Sequence, residues 1–315
     1  MSTAVSKRSR LPRISWQEYF MGIAFLSGKR CKDQHYMVGA CIVNNKNIII
    51  GTGYNKLPKG STKSEKGKTS HAEHIAIRNT NSRSTEGCTM YVTLFPCNRC
   101  AVAIIQAGIK KVIYLCDNYV DRVIAAKHMF TTSGVTYMPY ESIMYRVPLH
   151  RYGYLQIDVA EYCMGIAYLS ARRSKDVVCN IGACIVNKDN VIVGIGYNGL
   201  PRGMDDIPKI FLYNQYNQYN QSKDGYFKEC HAELNAILNK NVDADNLQDC
   251  TMYVTSYPCT ECAKKIIDYN ITKLVYMSNK QNNVDMTVAK ELLEAAGVSV
   301  SEYNPPKERI EIYET

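Results

Sequence analysis

The sequence predicts a layered α/β domain with a mixed sheet, built twice in tandem. Three observations carry this. Residues 21–60 align without a gap on 164–203, with 24 of 40 positions identical. Each copy alternates β-branched runs with stretches of helical periodicity. At 315 residues the chain has the length of about two domains.

In each copy the elements follow one order. A helix covers about Trp16 to Gly28 and, in the second copy, Val159 to Arg172, with apolar residues at helical spacing. Two β-branched runs follow, Val38 to Val43 and Asn47 to Gly53, and the Asn44-Asn45-Lys46 between them reads as a hairpin. A helix starts at His71, a strand covers Thr89 to Leu94, and a helix runs from Asn98 to Ala107. A strand at Lys111 to Leu115, a helix from Asp121 and a strand at Val135 to Tyr140 complete the copy. The opening hairpin makes the sheet mixed. Between its matching blocks the second copy carries extra residues, including the Tyr/Asn/Gln run Tyr213 to Gln221, which reads as a surface loop. The expected organisation is a basic tail (1–14), a first domain (15–145), a second domain (154–303) and a C-terminal tail (304–315). The seam falls near Met144 to Tyr154, where Pro148 and Gly153 punctuate the chain.

Composition sets limits on function. Hydrophobic residues make up 46% and charged residues 21%, ordinary values for a globular chain. Apolar runs such as Ile48 to Ile50 fall far below the roughly 18 residues of a membrane span. The stretch Met1 to Arg13 is rich in Ser, Arg and Lys and does not read as a secretory signal. An odd number of cysteines, 13, in a long chain fits a reducing compartment better than a disulfide framework, so a cytoplasmic or nuclear location is expected. Residues 1–150 hold 21 lysines and arginines against 8 acidic residues, and the remainder holds 17 against 21. A basic half suits either phosphate-bearing partners or simple solubility.

Two short motifs occur once per copy: His71-Ala72-Glu73 with Pro96-Cys97-Asn98-Arg99-Cys100, and His231-Ala232-Glu233 with Pro258-Cys259-Thr260-Glu261-Cys262. One imidazole and two thiolates are three donors that Zn²⁺ prefers, and they leave its fourth tetrahedral position for water. A structural site would close with a fourth Cys or His, and neither copy offers one at suitable local spacing. The cysteine pair opens a helix, so both sulfurs can face one ion and the helix N-terminus favours thiolate. Glu73 and Glu233 are not needed as ligands. Beside an activated water, each can carry protons to the ring nitrogen and then to leaving ammonia. His-x-Glu with Pro-Cys-x-x-Cys is the signature of zinc nucleobase deaminases. We therefore expect one Zn²⁺ per domain, on His71, Cys97 and Cys100 and on His231, Cys259 and Cys262, with Glu73 and Glu233 catalytic.

At these residues the sequence resembles the deoxycytidylate (dCMP) deaminase family of the cytidine deaminase-like superfamily. The resemblance covers nearly the whole chain, twice. It is closest in the second copy, through Leu169 to Asp176, Gly182 to Asn187, Gly194 to Gly203, Asp205-Asp206 and Cys230 to Ile237. It implies a three-layer α/β/α sandwich with a mixed five-stranded sheet in each domain. It also implies hydrolysis of dCMP to dUMP and ammonia, often controlled by dCTP and dTTP. The first copy has Ile75 where Asn235 stands, Lys56 for Gly199 and no counterpart of Asp205-Asp206, so the second copy is the expected principal catalyst. Deamination of dCTP, and of cytidines in single-stranded nucleic acid, are the competing activities. The aromatic-rich loop of the polynucleotide enzymes is not recognisable here, and nucleic acid is not the expected partner.

By the same resemblance, Asn198 and Asn55 are candidates to reach the nucleotide sugar, and Arg173 and Arg30 to hold its 5′-phosphate. Asn235 joins the expected substrate group of the second copy. Tyr257 and Phe95 either stack on the pyrimidine or pack at a strand end. Arg173 and Arg30 equally suit an exposed helix end. Cys41, Cys184, Cys88 and Cys250 read as buried packing thiols. Family members often form hexamers of single domains, so a homo-oligomer of this chain, trimer or dimer, is expected.

Overall fold

The computed structural model describes residues 13–32, 37–56, 69–80, 84–117, 120–141, 156–176, 180–199, 230–241, 247–278 and 284–305. The expected seam at 144–154, the loop at 213–221 and the acidic pair at 205–206 lie outside the described residues. The first domain runs α1 (Trp16–Gly28), β1 (Gly39–Val43), β2 (Ile49–Tyr54), α2 (Ala72–Arg78), β3 (Thr89–Leu94), α3 (Asn98–Gln106), β4 (Lys111–Cys116), α4 (Val120–Thr132) and β5 (Thr136–Pro139). The second repeats the series as α5 (Val159–Ala171), β6 (Gly182–Val186), β7 (Ile192–Tyr197), α6 (Ala232–Leu238), β8 (Thr251–Val254), α7 (Thr260–Asp268), β9 (Lys273–Tyr276), α8 (Val284–Ala295) and β10 (Ser299–Glu302).

Each sheet has five strands, ordered β2-β1-β3-β4-β5 and β10-β9-β8-β6-β7. In the first, β1 runs antiparallel to β2 and β3, while β3, β4 and β5 are parallel. The expected mixed five-stranded sheet is thus present twice. Side-chain chemistry makes the opening hairpin. Asn44 Oδ1 accepts the backbone N–H groups of Lys46 and Ile48, both at 3.0 Å, and Asn47 takes the left-handed conformation at φ 57°, which Asn tolerates better than most residues. Asn187 and Asn190 repeat the device.

Strand alternation separates two faces of each sheet. In the first domain Ala40, Ile42, Met90, Val92 and Val112 join an outer core under α2, α3 and α4, with Ile104, Ala126 and Phe130. Cys41, Val43, Tyr91 and Ile113 point the other way, toward α1. The second domain has its own outer core, around Ile185, Met252 and Leu274. The inner faces of both sheets share a single core that includes residues of α1 and α5. Helix and strand approach very closely there: a Cβ on Gly39 would lie 1.9 Å from the Ala24 carbonyl oxygen, and one on Gly182 would lie 1.9 Å from that of Ala167. Burial on both faces explains why these strands read as nearly continuous apolar runs.

The two domains meet along α1 and α5 and along the edge strands β2 and β7. Tyr19 and Ser170 share a buried hydrogen bond of 2.8 Å, and Tyr162 and Ser27 mirror it at 2.9 Å. Asn241, only 1% exposed, directs Nδ2 at the carbonyls of Ile192 (3.1 Å), Ile50 (3.3 Å) and Ile49 (3.4 Å). One amide thus serves the edges of two sheets, which otherwise would need cover from water. Asn241→Ala should cost about 2 kcal/mol, because it strands buried acceptors. The check is an equilibrium urea titration, where an unchanged midpoint would show that this bridge contributes nothing.

Candidate active site

The metal-binding side chains stand where helices begin. His71 is the extended residue before α2, and Cys97 the extended residue before α3, with Cys100 one turn into that helix. His231, Cys259 and Cys262 take the same places at α6 and α7. The backbone leading to each histidine is held by a bridge, Lys56 to Ser70 in one domain and Gly199 to Cys230 in the other. Thus two helix starts, brought together because the strands before them flank the antiparallel β1 or β6, supply each donor set.

Distances within each set fit one tetrahedral ion. Ligands at about 2.0–2.3 Å from a zinc ion stand about 3.4–3.8 Å from one another. In the first domain His71 Nδ1 lies 3.3 Å from Cys100 Sγ and 3.6 Å from Cys97 Sγ, and the sulfurs are 3.7 Å apart. In the second, His231 Nδ1 is 3.3 Å from both Cys259 Sγ and Cys262 Sγ. These are the two metal-capable groups among the described residues. The hydrogen bond from Cys100, followed by that from His71, holds the Cys97 thiol down at about 3. The equivalent bonds from Cys262 and His231 hold Cys259 at about 4. The bond within each cysteine pair pushes Cys100 and Cys262 up, so one thiol of each pair is held in the ionised form that a metal binds.

Glu73 and Glu233 lie in the first turn of α2 and α6, and each is only 3% exposed. Burial is the main cause that raises both carboxyl groups above the ordinary glutamate range. Glu73 Oε2 is buried without a hydrogen-bond partner in the described structure. A carboxyl group that resists ionisation beside a donor set can hold and release protons.

The other expected site residues divide into groups. Asn55, next to the first donor set, accepts the N–H of Ala72 through Oδ1 at 2.9 Å. Asn198 turns its Oδ1 to the N–H of Ile181 at 2.8 Å and its Nδ2 toward Asp176 at 3.4 Å. Asn235 donates to the Tyr197 carbonyl at 2.7 Å, which ties α6 to the end of β7. Ile75, at the matching place, is buried. Phe95 sits in the outer core, edge-on to Tyr114 and Tyr137. Tyr257 packs edge-on to Tyr276 at 4.8 Å, with its hydroxyl buried and unpaired in the described structure. Arg30 is half-buried, with its guanidinium 5.2 Å from the ring centres of both Tyr54 and Tyr162. Arg173 is enclosed, 4% exposed, in the contact between the domains.

Sequence reading missed Asp285 in α8. Its carboxylate accepts from the N–H of Thr260 at 3.4 Å, and its carbonyl accepts from the Thr260 hydroxyl at 2.9 Å. These bonds anchor the turn between Cys259 and Cys262, and no local motif marks a partner 25 residues away. The cysteines read as packing thiols, Cys41, Cys88, Cys184 and Cys250, are all buried.

The fold and the donor sets define a class. Two segments, residues 14–116 and 157–278, match the family of the cytidine and deoxycytidylate deaminase zinc-binding region, and the chain belongs to this family of zinc-binding hydrolytic deaminases. Human deoxycytidylate deaminase is 48% identical over 149 residues, which cover 42% of this chain and 84% of that protein. The probable deoxycytidylate deaminase of Drosophila melanogaster is 39% identical over 158 residues, covering 44% of this chain and 78% of that one. Among solved structures, the dCMP deaminase of cyanophage S-TIM5 in complex with dCMP and dUMP is similar at 28% identity. It covers 39% of this chain and 96% of that chain, with a TM-score of 0.35.

Both donor sets being complete, metal analysis of freshly purified protein should find two zinc ions per chain. Cys100→Ser and Cys262→Ser should each lower the content to one. A wild-type content of one or none would contradict the assignment.

Proposed function

We propose that the protein hydrolyses dCMP to dUMP and ammonia, with the second domain as the principal catalyst. The observation that supports this most is the similarity to named deoxycytidylate deaminases over most of their length, at donor sets whose geometry fits zinc twice. Zinc, when bound by His231, Cys259 and Cys262, supplies a water activated for attack at carbon 4 of cytosine. Glu233 takes one proton from the attacking water and delivers it to the ring nitrogen at position 3, then takes the second from the hydroxyl added at carbon 4 and gives it to the amino group, which departs as ammonia. The buried surroundings that favour its protonated form suit it to both deliveries. Asn198 is the proposed sugar contact and Asn55 its counterpart in the first domain, where Arg30 keeps the proposed phosphate role. Asn235 shapes the turn behind His231 through its bond to Tyr197.

The competing substrates are separable in a single assay that offers dCMP, dCTP, cytidine and a cytosine-containing oligonucleotide to the purified protein. Turnover of dCMP well above the others is expected, and deamination of the oligonucleotide alone would overturn the proposal. Glu233→Ala should lower kcat by about 10³-fold or more while zinc stays bound, because the residue carries protons and is not a ligand. Glu73→Ala should cost less. Equal loss from either change would refute the division of labour.

We also propose that the chain assembles further, with dCTP and dTTP as effectors. The two domains already pair within one chain, so three chains would bring six domains together, and a dimer four. Light scattering should return two or three times the 35.6 kDa chain mass. A single-chain mass with and without nucleotide would refute it.

A further inference from the structure

Trp16 is the only tryptophan of the chain, and although it opens the first helix of the first domain, its ring serves the second. The Arg173 guanidinium carbon lies 3.8 Å from the centre of the Trp16 ring, and Phe20 stacks on that ring at 5.3 Å. The residues before Trp16 close over the same arginine. Arg173 donates from a terminal nitrogen to the Ile14 carbonyl, and Arg13 Nε donates to the Arg173 carbonyl at 2.9 Å. A cation stacked on an indole and shut off from water is held more firmly than one at an open surface.

The chain of contacts continues to the proposed sugar contact. Ser174, next to Arg173 and itself buried, donates its hydroxyl to the Asn198 carbonyl at 2.8 Å and accepts the N–H of Asp176 at 3.1 Å. Asn198 in turn holds Asp176 and Ile181 through its side chain. The first domain's side is built from different residues: the Ile157 N–H donates to the Lys29 carbonyl at 3.2 Å, and Arg30 stands over Tyr162. By the repeat, Val159 occupies the place of Trp16 and Cys31 that of Ser174, and Arg30 remains half-buried beside two tyrosines.

We infer that residues 13–16, at and just before the start of the first domain, act as a clamp that positions the nucleotide-facing loop of the second, through Arg173, Ser174 and Asn198. Trp16 and Arg173 are positioning residues in this scheme, which rests on the deaminase reading of the second site only for its effect on substrate. A loop held in its binding shape before the ligand arrives spares the ordering cost that binding would otherwise carry.

The test compares Trp16→Ala with Tyr19→Phe, which keeps the ring that packs edge-on to Trp16 at 5.9 Å and removes only the hydrogen bond to Ser170. Trp16→Ala should raise KM for dCMP about fivefold, with kcat within about twofold of wild type and zinc content unchanged. Trp16→Phe should restore KM, and Tyr19→Phe should leave it alone. Hydrogen exchange gives a second readout that needs no turnover: the Asp176 and Ile181 amides should lose protection in Trp16→Ala and keep it in Tyr19→Phe. An unchanged KM and unchanged exchange in Trp16→Ala would overturn the clamp, as would equal effects from Tyr19→Phe. A wild-type protein that leaves dCMP intact would refute the substrate reading, and the exchange comparison would then decide the clamp by itself. Should Trp16→Ala fail to fold, Arg13→Ala, at the exposed end of the clamp, carries the same comparisons.

Discussion

Three soft donors from two distant segments must meet within 3.3–3.7 Å, and the rest of the structure follows from that demand. A histidine and a cysteine pair 26 or 28 residues apart in sequence converge only if their segments end side by side. The mixed sheet does this. The antiparallel β2 and β7 edges deliver the chain toward the histidine, and β3 and β8 lead into the cysteine helices from the other side of the central strand. Both cysteine helices then start with an extended residue and a turn, a geometry in which sulfurs at i and i+3 face one point beside free backbone N–H groups. Secondary bonds refine it: Asn55 accepts the N–H of Ala72, and Asp285 anchors Thr260 between the two cysteines. These partners fix the backbone beside the ligands, as supporting groups around metal ligands do.

A carboxyl group 3% exposed beside such a centre is costly to ionise. The fold accepts that cost twice, at Glu73 and Glu233, with the same helix position and the same direction of shift. Packing alone would favour an apolar residue in either place. A buried acid in both domains fits the proposed proton-carrying role, whereas purely structural zinc clusters need no such group.

What could be read from the sequence was what depends on near neighbours. The element order, the hairpin at Asn44 and the two donor sets all follow from spacing within about 30 residues, the repeat shows itself by direct comparison of the two halves, and the structure has them where the residues predict. The contacts between domains were not legible, because Tyr19 meets Ser170 across 151 positions and Asn241 meets Ile50 across 191. No periodicity encodes such pairs. Arg173 shows the consequence: a helix-end arginine looks the same in sequence whether or not an indole stands against it, and no local pattern marks its 3.8 Å approach to Trp16. Phe95 was open to stacking or packing for the same reason, and its outer-core neighbours are contributed by β4, β5 and α4.

Covalent duplication also explains why the domain contact is nearly, but not fully, symmetric. In a pair of identical subunits every residue at the two-fold contact appears on both sides, so any change is made twice. The Tyr19–Ser170 and Tyr162–Ser27 pairs still obey that rule, and so do Gly22 against Leu169 and Gly165 against Leu26. Trp16 breaks it, since its repeat partner is Val159. A tryptophan that encloses one arginine while leaving the other half-exposed is an arrangement that identical subunits in a symmetric pair cannot have. Once the copies share a chain, one domain can give up part of its own symmetry to hold a loop of the other, and the two active-site groups, alike in their metal donors, become free to differ in everything around them.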